Sequence, residues 1–181
     1  MGGDNIIFIM RIITTPMCEE IVRLAGIQDY IVNKHPDEED GDLAILLSES
    51  KVKMDSLPIK LNTPFQVFES IRKVSAYSSK VLSDEEILSF FEDYELSRKY
   101  LNNDVKHDID VKVYSLFLKD IVEDMGFNIV LENPDYVVYP DYLKDKVLEE
   151  DNLIEIPTHG SVSKNPFERI ELRYSILEKL I

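Results

Sequence analysis

The 181-residue chain contains one cysteine, Cys18, which closes the segment Thr14-Thr15-Pro16-Met17-Cys18. A lone thiol forms no disulfide within its chain and cannot build an all-cysteine zinc or iron–sulfur site, but it can act as a nucleophile and acyl acceptor. Thr15 is a good helix N-cap and Pro16 a good first helical residue, because proline lacks the amide that a helix start leaves unpaired. That pattern predicts Cys18 at the third helical position, where free amides and the positive end of the helix dipole would pull a thiol below its free pKa of about 8.5. Glu19 and Glu20 follow and oppose that pull. The plainer reading of Cys18 is a small core residue, since free cysteine is among the most buried residue types.

Two further clusters carry polar chemistry. Thr158, His159, Gly160, Ser163 and Asn165 fall in a loop before a helix start and suit a phosphate or carboxylate. Ser48 and Glu49 follow an apolar run, and Asn62 and Thr63 precede another helix start. These residues, with Thr14, Thr15, Pro16 and Met17, are the candidate ligand contacts. The chain has neither a Walker A loop nor a G-x-G-x-x-G sequence. His35 and His107 have no second histidine at ligand spacing, so no metal site is expected. The acidic run 37–40 reads as a solvated loop rather than a cation site.

The elements that must position these groups follow from the patterning. Apolar runs at 6–14, 43–47 and 57–61 predict strands buried on both faces, and 29–34 a further short strand. Helices are expected over 16–25, capped by Gly26, and over 64–79. Residues 83–103 read as a charged helix opened by the capping box Ser83-Asp84-Glu85-Glu86. Beyond it we expect a helix over 110–125, strands at 127–131, 136–139 and 153–156, a short helix over 141–150 and a terminal helix from 165 to 180. Strand and helix alternation of this kind predicts an α/β fold: three layers, a largely parallel sheet flanked by helices, with two related halves near 10–80 and 105–181 joined by the charged helix. Strand-to-helix turns of the form Thr-Pro or Asn-Pro recur at 15–16, 63–64 and 165–166, and in a parallel sheet such turns gather at the carboxyl edge, where ligands bind.

A net charge of −15, from 20 basic and 35 acidic residues, repels nucleic acid and anionic membrane surfaces. No run approaches the ~20 apolar residues of a membrane span and no signal-peptide pattern follows the N-terminus, so a cytoplasmic protein is expected. Residues 1–9 read as a leader running into the first strand, with Met10 as an alternative start to a single α/β domain over 10–181. The terminal helix, ending Ile176-Leu177-Glu178-Lys179-Leu180-Ile181, offers an apolar patch for a homodimer.

The segment Met10-Arg11-Ile12-Ile13-Thr14-Thr15-Pro16-Met17-Cys18-Glu19-Glu20 resembles the opening of the HcgF family, which takes part in assembling the iron-guanylylpyridinol cofactor of mononuclear iron hydrogenase in methanogenic archaea. Counted from Met10, Cys18 falls where that family places its reactive cysteine. The resemblance implies acyl transfer: an HcgE-like partner converts the carboxylate of guanylylpyridinol to its adenylate, and Cys18 takes the acyl group as a thioester. It implies guanylylpyridinol as the ligand and no tightly bound cofactor. Noncovalent binding of an anionic nucleotide-like metabolite is the alternative. For the remaining contacts, amides at the Pro16 helix start are expected to polarise the reacting carbonyl, and the helix starts after Thr63 and Asn165 to hold the nucleotide phosphate.

Overall fold

The computed structural model describes residues 9–181; the start of the expected leader, 1–8, and with it the first three residues of the expected strand over 6–14, lie outside the described residues. Among the described residues eight strands form two separate four-stranded sheets, each wholly parallel. The first holds β1 (Ile12–Thr14), β2 (Tyr30–Val32), β3 (Leu43–Leu47) and β4 (Ser56–Ile59) in the order β2-β1-β3-β4. The second holds β5 (Asp110–Val113), β6 (Asn128–Ile129), β7 (Tyr136–Pro140) and β8 (Leu153–Ile156) in the order β6-β5-β7-β8. The two orders are the same when each half is counted from its own first strand, so the expected related halves are two lobes of one topology.

Both lobes bury their central strands between helices, which is why β1, β3 and β7 read as unbroken apolar runs. Helices α1 (Glu19–Leu24) and α2 (Pro64–Ser75) cover the first sheet, and α5 (Leu116–Asp124) and α6 (Pro166–Leu177) belong to the second. The likeness extends to helix ends. Gly26 follows α1 at φ 86° and Gly126 follows α5 at φ 87°, and in each case the next amide donates back to the helix, Ile27 to the Val22 carbonyl and Phe127 to the Val122 carbonyl.

The predicted helix over 110–125 is a correction. Its first four residues are β5, the central strand of the second lobe, whose alternating Val111 and Val113 suit a strand, and Ser115 then caps α5 by accepting from the Leu118 amide. The charged connection is also two helices rather than one, α3 (Asp84–Ser89) and α4 (Glu95–Tyr100), and the expected helix over 141–150 is a 3-10 stretch, Asp141–Lys146.

The capping box forms as the sequence reads: Ser83 Oγ accepts from the Glu86 amide at 3.2 Å, and the Glu86 carboxylate accepts from the Ser83 amide at 2.8 Å. Replacing Ser83 by Ala should lower stability by about 1 kcal/mol, read as a shift of the urea midpoint at constant slope.

The connection is pinned to α6. Phe167 meets Phe91 edge-on at 4.8 Å and stacks on Tyr94 at 4.7 Å. The Glu171 carboxylate accepts from the Leu96 and Ser97 amides at the start of α4, which otherwise lacks a side-chain cap. The C-terminal apolar residues serve this packing: Leu177 is buried, Ile176 and Leu180 lie against the core, and Ile181 is exposed.

Candidate functional site

In each sheet the strand order reverses between the first and third strands, β1 and β3 in one lobe, β5 and β7 in the other. Crevices at such switch points, beyond the carboxyl ends of the strands, are the usual ligand positions of open parallel sheets. In the first lobe this crevice is flanked by 15–18 after β1 and by Ser48 and Glu49 after β3. In the second it is flanked by Tyr114 and Ser115 after β5 and by Asp141 after β7. The two carboxyl edges meet. Asp120 on α5 accepts from Asn62 Nδ2 at 3.1 Å and from Gln66 Nε2 at 2.9 Å across the seam, with Lys60 Nζ at 3.7 Å.

Cys18 stands after β1 in the first lobe's crevice, within electrostatic reach of Glu49 and Arg169, but not as the sequence predicts. Residues 16–18 form a turn and the helix starts only at Glu19, so Cys18 is the N-cap residue rather than the third helical one. Its amide is already spent, donating to the Thr15 carbonyl at 3.0 Å. No cap hydrogen bond runs from the Cys18 side chain to the helix amides, and the thiol is raised rather than lowered, which corrects the expected fall in its pKa. The sulfur is fully buried, and burial pushes the thiol up to about 11. The Thr15 side chain and the Arg169 cation pull the other way, and Glu49 adds to the rise. At neutral pH Cys18 is therefore a neutral thiol.

Most other expected contacts are engaged within the chain. Thr14 Oγ1 donates to the Ile45 carbonyl, Thr63 Oγ1 accepts from the Gln66 amide and Ser48 Oγ donates to Glu49. The Asn62 amide donates to Gln66 Oε1 at 3.0 Å. Asn165 Oδ1 caps α6 by accepting from the Phe167 amide, and its Nδ2 donates to the Tyr94 hydroxyl. Thr158 donates through its amide and its hydroxyl to the Asp141 carboxylate. Ser163 Oγ accepts from the Asn165 amide. Two of the three Thr-Pro and Asn-Pro turns are thus capped helix starts, and the third is the turn at Cys18. Gly160 is exposed with open space around it. His159 opens a 3-10 turn, His159–Ser161, and its side chain lies outside the described residues. Pro16 and Met17 are half-buried beside Cys18.

The residues that reasoning from sequence missed are Arg169 and Arg173 on α6, 3% and 8% exposed. Arg169 Nη1 donates to the Ser163 and Lys164 carbonyls at 3.2 and 2.7 Å, and Arg173 Nε to the Pro157 carbonyl at 3.2 Å. The Arg173 guanidinium lies 5.0 Å from the centre of the Phe117 ring. Burial, and for Arg169 the neighbouring Arg173, lowers both from 12.5 to about 10, so each remains a cation at neutral pH. A signal was present: both arginines fall in phase with Phe167, Ile170, Tyr174 and Leu177, on the stripe a helix turns inward.

Among the described residues no group of three or more His, Cys, Asp or Glu side chains could hold a metal ion, and no helix is long and apolar enough to cross a membrane.

No family model matches the chain, and no curated protein matches it. Solved structures do share its fold. The periplasmic vitamin B12 binding protein BtuF of Vibrio cholerae superposes with a TM-score of 0.54 at 12% identity, over 94% of this chain and 96% of that one. Zn(II)-bound AdcA from Streptococcus pneumoniae superposes with a TM-score of 0.52 at 13% identity, over 94% of this chain and 57% of that one. At these identities the likeness is one of fold.

Proposed function

We propose that the chain is a two-lobed binding module that holds an anionic metabolite between the carboxyl edges of its two sheets. The observation that carries this is the meeting of the two lobes at one seam, where Asn62 and Gln66 of the first bond Asp120 of the second, with Arg169 of the second acting electrostatically on Cys18 of the first. The shared fold with solved binding proteins supports the two-lobed arrangement. The Asp120 contacts with Asn62 and Gln66 hold the lobes together without a ligand, and their opening would admit one.

A finer reading rests on the resemblance of residues 10–20 to the HcgF opening. In it the metabolite is guanylylpyridinol, the setting is cytoplasmic, an HcgE-like enzyme supplies the acyl adenylate, and a homodimer is not required. Deprotonated Cys18 sulfur attacks the acyl carbon, the C–S bond forms, the bond to the AMP phosphate oxygen breaks, AMP leaves and the thiol proton passes to water. The buried neutral thiol supports this step only in an opened form, and the adjacent Arg169 cation favours the thiolate there.

Calorimetric titration with guanylylpyridinol separates the two levels. Binding by wild type and by a Cys18→Ala variant alike supports the module. Incubation with guanylylpyridinol, an HcgE-like enzyme and ATP should then add the acyl mass to wild type and not to Cys18→Ala. Binding without an adduct removes the acyl-transfer reading, and absence of binding removes both.

A further inference from the structure

The terminal helix carries a charge arrangement that packing alone does not call for. Arg169 and Arg173 are one turn apart on the same face, a spacing that brings their side chains together, and both are more than nine-tenths buried. Like charges so placed repel, and taking each out of water costs several kcal/mol unless a counter-charge is supplied. This chain has 15 acidic residues in excess. Yet among the described residues neither guanidinium takes part in an ion pair, while ten such pairs tie up surface lysines and arginines. Asp141 acts on Arg173 electrostatically and accepts from the Thr158 amide and hydroxyl.

The bonding of the guanidinium forks points the same way. Of Arg169 only Nη1, and of Arg173 only Nε, donates to an acceptor among the described residues, and all three acceptors are backbone carbonyls of the loop between β8 and α6. Among the described residues no polar side-chain atom is both sealed from solvent and without a partner, so the remaining N–H groups of the two arginines keep contact with solvent. The carbonyl bonds hold both guanidiniums, the Phe117 ring faces that of Arg173, and the remaining N–H groups of each fork are left as donors, the group that receives the two oxygens of a carboxylate or phosphate.

Building on the binding reading above, we propose that Arg169 and Arg173 are the receptor for the ligand's oxyanion, seated at the seam beside Cys18. The negative surface and the anionic ligand are then compatible: this pair of cations is internal, and the anion reaches it when the lobes part. The receptor replaces the helix starts after Thr63 and Asn165, whose own side chains cap them.

The test is a calorimetric titration of wild type, R169Q and R173Q with guanylylpyridinol, and of wild type with inorganic phosphate and with acetate at matched chloride ionic strength. Each glutamine substitution should weaken guanylylpyridinol binding at least tenfold, and phosphate or acetate should compete in wild type. Competition by phosphate alone assigns the receptor to a phosphate, and by acetate alone to a carboxylate. Unchanged affinity in both folded variants overturns the receptor and leaves the binding module standing. Wild type that binds neither guanylylpyridinol nor either small anion overturns both. Should the glutamine variants fail to fold, R173K decides: it keeps the charge but loses the fork, and binding as tight as wild type together with no competition by either anion overturns the proposal.

Discussion

Phe167→Ala is expected to lower the unfolding free energy by about 3–5 kcal/mol, the range for emptying an aromatic site in a core that cannot collapse. Phe167 is 2% exposed and is the centre of an aromatic group, with Phe91 edge-on and Tyr94 stacked at an interplanar angle of 13°. Each such pair adds about 0.5–1.5 kcal/mol beyond burial. The cavity would also open at a joint. Phe91 and Tyr94 belong to the connection between the lobes, and Phe167 stands two residues before Arg169, so the loss reaches the site through α6. Urea unfolding measures the stability, and ligand affinity should fall with it. A loss below about 1 kcal/mol would mean that the connection is not held by this packing.

The second large effect is on Cys18 and pH. Burial raises the thiol from 9.0 to about 11, so at neutral pH it carries about a hundredfold less thiolate than an unperturbed cysteine. Alkylation of the native protein by iodoacetamide at pH 7.5 should be at least that much slower than in urea, and slower still because the sulfur is covered. The same shift enters stability. With the folded-state pKa above the unfolded value, the native state holds its proton more tightly. That contribution is fully present below pH 9 and is lost as pH rises through about 11, a total of about 2–3 kcal/mol. Wild type should therefore lose stability between pH 9 and 11 more steeply than Cys18→Ala, since the variant keeps every other titrating group. Parallel pH profiles for the two proteins would show a thiol that titrates normally.

Much of the architecture was legible because parallel strands buried on both faces are unbroken apolar runs: β3 and β8 fall where the sequence places them. The glycines at 26 and 126 marked the same helix end in both halves. The strand β5 was not legible, because Asp110 to Val113 runs without a breaker into the apolar stripe of α5, and only the cap at Ser115 divides them.

The site divides along a similar line. That the strand-to-helix turns fall at the carboxyl ends of the parallel strands followed from topology. How each turn uses its polar groups did not, because hydroxyls and amides that look free in sequence are satisfied by neighbours far along the chain, as Thr14 is by the Ile45 carbonyl and Thr158 by Asp141. The arginines were hidden for the opposite reason. A charge inside an apolar helical stripe is easily taken for surface, and its burial is decided by tertiary packing, here under the loop carbonyls of Pro157, Ser163 and Lys164 and beside Phe117.

Amide hydrogen exchange with and without guanylylpyridinol tests most directly whether a ligand is held between the two carboxyl edges. Slowed exchange is expected together in the segments around 15–18 and 48–49 of the first lobe and around 114–117 and 158–169 of the second. Protection confined to one lobe, or found only at the opposite edges of the sheets, would contradict a ligand held in the seam.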